Sequence, residues 1–332
     1  MILPRTAFHK LDRRRFGTAG LALAVLIGTA APAARAETWP SRPLQIVVPF
    51  AAGGTVDNVA RVLQEPLRAR LGQPVIVNNR PGGGGTIGTS AVAKAAADGY
   101  TVGLVFDSFA TEQHIYRKLP YAARDLTGIA TLVRAPMVLV VPASSPYTTL
   151  DAFIVAARQA GKVTFASVGA GSSNHLAGEL FFDAVGGSGV HVPFKGGGPA
   201  ITDLVGGHVD SMIASLPLVR QYLDGGQLRA LAITSPQRHP ALPNVPAVAE
   251  RAKGFEIHSW VGMVAPAAMP PALIERLGAD VAAALRQPAV QKQLEAAGFE
   301  VTAGPRSAMD ALVRGESERW GRLIRARNIA AE

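Results

Sequence analysis

The 332-residue sequence contains no cysteine. That excludes disulfides, thiolate metal sites, a cysteine nucleophile and a lipid-modified N-terminal cysteine. The seven histidines and the carboxylates show no ligand spacing such as His-x-x-x-His, so no metal is expected. No Gly-x-Ser-x-Gly nucleophile elbow occurs, and Lys195 lacks the Gly-x-x-x-x-Gly-Lys-Ser/Thr setting of a phosphate loop. Nor is there a run of Lys and Arg beyond residue 36. Six of the 33 basic residues and one of the 24 acidic residues fall within 1–36, which leaves 27 bases against 23 acids. The formal charge of +9 therefore overstates the basicity of the rest, and nucleic acid is not an expected partner.

What is present begins with a leader. Arg13, Arg14 and Arg15 precede a short apolar stretch from Phe16 to Ala31, interrupted by Gly and Thr. Ala34-Arg35-Ala36 is a small-x-small cleavage pattern. Residues 1–36 read as an export signal cleaved after Ala36 rather than as a membrane span. Both Sec and twin-arginine export fit it. A periplasmic location is expected, and residues 37–332 are enough for two domains, each with its own core.

The rest is organised around Leu44 to Leu67. Leu44 and Ile46 to Val48 form an apolar, β-branched run between Pro43 and Pro49, the pattern of a buried strand. Gly53-Gly54 permits a sharp turn. Val56, Val59, Ala60, Leu63 and Leu67 then recur at helical spacing, with Thr55 expected as N-cap and Asp57 in the first turn. Pro66 should kink or end this helix early. A helix N-terminus after a glycine turn presents unsatisfied N–H groups that suit an anion.

A second unit of the same kind lies further on. Val163 to Val168 reads as a strand, Gly169-Ala170-Gly171-Ser172-Ser173-Asn174 as a loop, and His175 onward as a helix. Ser172, Ser173 and Asn174 are capping residue types and neutral donors to an anion. Between the two units, Gly83-x-Gly85-x-x-Gly88 fits the dinucleotide fingerprint, and Asp107 lies about where a ribose-binding acid would be. This makes an exported NAD(P)-dependent enzyme the alternative reading. Against it, Asn78 to Pro81 separate the strand from the glycines, and an exported protein is remote from the nicotinamide pool. A hydrolase built on Ser172 and His175 is weaker still.

Strands alternate with helices nearly throughout, which predicts an α/β fold with a mostly parallel sheet. Leu126 to Val141 reads as strand-like runs broken at Arg134-Ala135-Pro136. The end of the chain reads as helices only, over 273–285, 288–297 and 307–326. Two positive helix ends facing one cleft would hold a carboxylate or similar anion. No general base stands beside an activated nucleophile in either loop, which favours binding over turnover.

Several short segments, in order, carry a resemblance. They include Trp39-Pro40-Ser41-Arg42-Pro43, Ile46-Val47-Val48-Pro49-Phe50 with Gly53-Gly54-x-x-Asp57, Asn79-Arg80-Pro81-Gly82 and Ala97-Asp98-Gly99-Tyr100-Thr101. Ser173-x-His175-Leu176-Ala177-Gly178-Glu179-Leu180, His191-Val192-Pro193-Phe194-Lys195-Gly196 and Leu231-Ala232-Ile233-Thr234-Ser235 follow. Together they resemble the tripartite tricarboxylate transporter receptors, or Bug proteins, which are periplasmic solute-binding proteins. The resemblance implies a two-domain periplasmic-binding-protein fold (type II, Venus-flytrap) with a ligand cleft between the domains. It places one domain at 37–140 plus 256–332 and the other at 141–255. It implies a small carboxylate ligand, no cofactor, no catalytic residue, membrane permease subunits or a sensor kinase as partner, and a monomer.

Carried over by position, the first-domain contacts are Phe50, Ala51, Gly53, Gly54, Asp57, Asp107 and Ser108. The second-domain contacts are Ser167, Gly169, Ser172, Ser173, His175, Ala214 and Ser215. The chain departs from the family at Ile213-Ala214-Ser215, where Phe-Asp-Asn or similar is frequent, and at Asp107 to Thr111. The lost acid at 214 argues against a ligand amino group there, while Asp107 offers a replacement acid.

Overall fold

A computed structural model describes residues 39–194 and 196–330. The leader reading of residues 1–36 and any role of Lys195 lie outside the described residues. The first elements are β1 (Leu44–Val48), α1 (Thr55–Leu71), β2 (Val75–Asn79), α2 (Thr86–Ala93), β3 (Thr101–Phe106) and the single turn α3 (Glu112–Ile115). A long strand, β4 (Leu126–Pro142), leads to α4 (Leu150–Ala157), β5 (Thr164–Ser167), α5 (Ser173–Ala184), β6 (Val190–Pro193) and α6 (Gly197–Val205). Then come β7 (Ser211–Ser215), α7 (Leu216–Asp224), β8 (Leu228–Ile233) and β9 (His258–Pro266). The chain closes with α8 (Pro271–Leu285), α9 (Pro288–Ala296), β10 (Glu300–Gly304) and α10 (Arg306–Arg327).

The strands follow the order β2-β1-β3-β9-β4-β7-β5-β6, with β10 and β8 also pairing β4. The α/β class holds, but the sheet is not mostly parallel. A parallel trio stands at each end, β2-β1-β3 and β7-β5-β6. Every pairing in the middle is antiparallel: β3 with β9, β9 with β4, and β4 with β7, β8 and β10. The reason is that the chain leaves the first trio along β4 and returns along β9, so those two strands run in opposite directions.

β4 does not break at Arg134-Ala135-Pro136. Its first part pairs β9 as far as Pro136, and its second part pairs β7 and β8 from Met137 onward. Proline donates no ladder hydrogen bond, and Pro136 falls where the strand changes partners. Thr234 secures the changeover: its hydroxyl accepts from the Met137 N–H at 2.8 Å and lies 2.6 Å from the Ile257 carbonyl. β10 corrects the all-helix reading of the C-terminus. Glu300 and Val301 pair Arg134 and Val133 at an edge of β4.

Pro66 neither ends nor divides α1, which continues to Leu71 and stops at Gly72 in the left-handed region (φ 67°). The buried stripe of Leu63, Leu67 and Leu71 spans the proline. Burying one such side chain contributes about 2 kcal/mol, enough across three to offset one missing helical hydrogen bond.

Each end of the sheet has its own core. Val92 of α2 and Met309 of α10 join Val47, Val105, Trp260 and Val264. At the other end Phe153, Phe165, Phe181 and Phe182 pack with Leu139 and Ile213, and this cluster also takes in Ile115, Trp320 and Ile324. The last turns of α10 therefore pack into the second core.

Candidate functional site

The first loop leaves the C-terminal end of β1. The N-cap of α1 is Gly54, not Thr55, and it supplies no side-chain cap. Thr55 has already entered the helix, because Asn58 N–H bonds the Gly54 carbonyl at 3.0 Å. Gly53 turns the chain at φ +80°, a region costing a non-glycine residue about 1–2 kcal/mol. The Asp57 carboxylate reaches back and accepts the Gly53 N–H at 2.8 Å, Arg61 Nε at 2.8 Å and Asn79 Nδ2 at 2.9 Å. Burial works to raise its pKa, but the bonds from Arg61, Gly53 and Asn79 outweigh burial and hold it below the ordinary range. Asp57 is 1 % exposed, so it organises the loop from beneath. Ala51 and Gly53 are exposed, while Phe50 and Gly54 are half-buried. Phe50 meets Phe106 edge to face, ring centroids 5.9 Å apart.

The second loop follows β5. Ser172 is the N-cap of α5 and accepts from the His175 N–H, while its hydroxyl donates to the Gly169 carbonyl at 2.7 Å. Ser167 Oγ lies 2.9 Å from the same carbonyl and accepts the Gly169 N–H at 3.1 Å. The ring of His175 turns away from Ser172: its Nδ1 accepts the Gly171 N–H at 2.9 Å. No hydrolytic pair is formed between Ser172 and His175. A close serine–histidine contact does exist, Ser167 Oγ to His191 Nε2 at 2.7 Å, but Ser167 is completely buried and closed to a substrate.

Each loop meets an element of the other half of the molecule. Thr55 at the start of α1 lies 3.5 Å, hydroxyl to hydroxyl, from Ser215 at the end of β7. A Cβ on Gly171 would come within 2.6 Å of Ile115, so that glycine permits the close approach. Asn174 ties the start of α5 to the Ile213 carbonyl at 2.8 Å. Ala214 and Ser215 are buried beside it, and Ser173 is almost so. The structure thus gathers Thr55, Ser215 and the α5 loop around one joint.

Asp107, just past β3, is buried with neither carboxylate oxygen hydrogen-bonded. Burial pushes its pKa up to about 8, and the nearby Glu316 adds to this. Ser173 and the Ser108 backbone lie close enough to ease the shift without bonds of normal geometry. Glu112 is buried as well and raised to about 7 by burial, against the pull of its short hydrogen bond from Tyr121. Its pairing was not legible in the sequence, since the two residues are separated by an irregular loop.

The glycine fingerprint does not form a nucleotide site. β1 lies between β2, which precedes the glycines, and β3, which precedes Asp107; a Rossmann acid stands on the neighbouring strand. Gly82 to Gly85 all have positive φ and serve close packing: Gly83 accepts from Tyr116 Oη at 3.1 Å, and a Cβ on Gly85 would touch Phe50 at 3.2 Å. Two cavities of about 550 and 590 Å³ flank α10. They are lined by residues such as Gln113, Arg314 and Ser317, or Arg134, His258 and Glu316, and lie away from both helix starts. Among the described residues no cluster of three or more His, Asp or Glu could hold a metal.

Two lobes sharing one curled sheet, with a helix start from each at the joint, define the periplasmic-binding-protein class. Residues 59–329 match the family described as the tripartite tricarboxylate transporter family receptor, TctC, and the chain belongs to that family. It is 38% identical over 303 residues to protein BugT of Bordetella pertussis, covering 90% of this chain and 93% of that one. The structure of the periplasmic binding protein BugD superposes with a TM-score of 0.81 at 34% identity, over 89% of this chain and all of BugD. Rpa4515 of R. palustris, whose structure holds adipate, gives a TM-score of 0.83 at 35% identity, over 88% and 99% of the two chains. The family is one of solute-binding receptors, and the enzyme alternative has no support among these relatives.

Proposed function

We propose that the protein captures a small carboxylate without an amino group in the cleft between its two domains, and delivers it to the permease subunits of a tripartite tricarboxylate-type transporter. The observation that carries this is the meeting of the starts of α1 and α7 beside the α5 loop, with Thr55 and Ser215, the N-cap of α7, 3.5 Å apart. Helix N-termini bind carboxylates through backbone N–H groups and the helix dipole. Adipate in a relative at 35% identity supports a dicarboxylate.

In this reading the ligand meets Phe50, Ala51, Gly53 and Gly54 from one side, with Ser108 nearby. Gly169 and Ser172 approach from the other side. Asp57, Ser167, Ser173, His175, Ala214 and Ser215 are buried and shape those loops from beneath. Asp107, with its pKa pushed up to about 8, is neutral at pH 7 and supplies no counter-charge for an ammonium group. Ala214 supplies none either, which is why an amino acid ligand is disfavoured. The proposed domains are 37–140 with 256–332, and 141–255; the change of β4 partners after Pro136 supports the boundary. The protein acts after export, as a binding protein without catalytic turnover and as a monomer. Presentation to a sensor kinase would use the same capture step.

A thermal-shift screen with mono-, di- and tricarboxylates, amino acids and NAD(P) tests this. A ligand at 100 times its Kd stabilises by about 2.7 kcal/mol, a rise of several degrees. The expected result is a rise with dicarboxylates that disappears in Gly54→Val, a variant whose φ of −83° suits valine and whose Cβ would press on the Ala51 carbonyl at 3.3 Å, with its ligand-free midpoint as the check on folding. A rise only with NAD(P), or a dicarboxylate shift that survives Gly54→Val, would sink the proposal.

A further inference from the structure

The residue that holds the second loop in shape is one that no loop pattern singles out. His191 lies on β6, beside Phe165 of β5 in parallel register. Its ring stacks on that of His175, with centroids 3.6 Å apart and planes within 3°. Phe165 borders both rings, at 5.1 Å from His191 and 6.1 Å from His175.

The hydrogen bonds assign the protons. Ser167 Oγ has one proton, and the Gly169 carbonyl lies 2.9 Å away to receive it. Taking that carbonyl as the acceptor makes the 2.7 Å contact to His191 Nε2 a bond that the imidazole donates, a tautomer assigned from the network. His175 Nδ1 accepts from the Gly171 N–H, so its proton is on Nε2, facing Glu179 Oε1 at 3.7 Å. Gly169 and Gly171 both sit at positive φ, 139° and 74°. Each is thus tied by a backbone bond to one partner of a neutral, stacked imidazole pair, Gly169 through Ser167 and Gly171 directly.

We infer that His191 is the positioning residue of the second ligand loop: it orients the Ser167 hydroxyl as a donor and fixes the plane of His175 by stacking, so that Gly169 and Gly171 are set before ligand arrives. This rests on the proposed capture of a carboxylate at that loop. The surroundings keep the ring neutral. Burial, then the neighbouring His175, push its pKa down to about 4, with Glu179 opposing. β5 brings only the Ser167 hydroxyl, α5 brings His175 and Glu179, and Arg327 of α10 acts on Glu179.

Amide hydrogen exchange of Gly169 and Gly171 in the purified ligand-free protein tests the inference without needing a ligand. His191→Leu removes donor and ring, and both amides should exchange at least tenfold faster. His191→Phe keeps a ring to stack and should release only Gly169. His191→Gln keeps a donor and should release only Gly171. Unchanged exchange in the Leu variant, or the same response in all three variants, would overturn the inference. The Phe variant, close in size to the native ring, keeps the test available if Leu prevents folding. Adipate affinity by calorimetry should fall at least tenfold in the Leu variant. Loosened glycines with unchanged affinity would remove the loop from ligand capture, whereas tight glycines with Gly54→Val still binding adipate would sink the capture proposal and this inference separately.

Discussion

At the start of α1 the loop is held by one ionised carboxylate, Asp57, which collects a backbone N–H, an amide and a guanidinium. At the start of α5 the equivalent work is shared among neutral groups: two serine hydroxyls and two stacked imidazoles. Both loops aim a helix start at the same joint. The difference shows in how each responds to protons. A charged strut is lost only when its carboxylate is protonated, below the ordinary range. A neutral network is lost when a ring gains charge. Asp107 is a third kind of group, buried, with its pKa pushed up to about 8 by burial.

The largest expected effect concerns that third group. The folded pKa of Asp107 is raised to about 8, so the fold binds a proton that the unfolded chain releases near pH 4. Its stabilising contribution is full below about pH 4 and falls as pH rises through 8. Asp107→Asn should therefore flatten the decline in stability between pH 5 and pH 8, a difference of at most about 4 kcal/mol, read from urea midpoints at the two pH values. Equal slopes for wild type and variant would place the titrating group elsewhere. His191, lowered to about 4, has the opposite sign: its contribution is full above about pH 6.5 and lost as pH falls toward 4.

Breaking the charged strut comes next. Asp57→Ala leaves the Gly53 N–H without its acceptor and the Asn79 amide with only the Phe50 carbonyl, a loss of about 2–3 kcal/mol in chemical denaturation, together with ligand affinity. A loss under 1 kcal/mol would show that the glycine turn holds itself. Ser172→Ala removes the cap of α5 and should cost about 1 kcal/mol. Because the stack of His191 on His175 survives, Gly171 should remain protected from exchange. Arg61→Ala is the smallest change. Arg61 is about half exposed, and such pairs contribute little, so a midpoint shift comparable to that of Asp57→Ala would mean that the ion pair, rather than the backbone bonds, secures the first loop.

The alternation of strand and helix, the two glycine turns and the start of α5 were legible because each is written in neighbouring residues. Ser172 as a capping type and Gly53 at positive φ need no tertiary information. What was illegible depends on partners distant in sequence. β4 reads as broken because Pro136 looks like a terminator, and only the change of partners from His258 to Ser215 makes a proline tolerable there. β10 is five residues at a sheet edge, with a half-buried, mixed pattern that gives no period-two signal. Thr55 was preferred over Gly54 as cap because its side chain suits the role, yet the loop takes its acceptor from Asp57 instead. His191 gave no local sign of its task, because its partners Ser167 and His175 lie on other elements.

β4 and β9 also set the order in which the molecule can be finished as it is made. The strands of the second lobe, from Met137 to Ile233, are complete once β8 has been synthesised. The first lobe, although it begins the chain, has β3 waiting for β9 at 258–266 and β4 waiting for β10 at 300–304. The part synthesised first is therefore closed last. Its central strand edges stay open until the final quarter of the chain brings β9, a long interval of unpaired backbone and a natural window in which the polypeptide remains threadable.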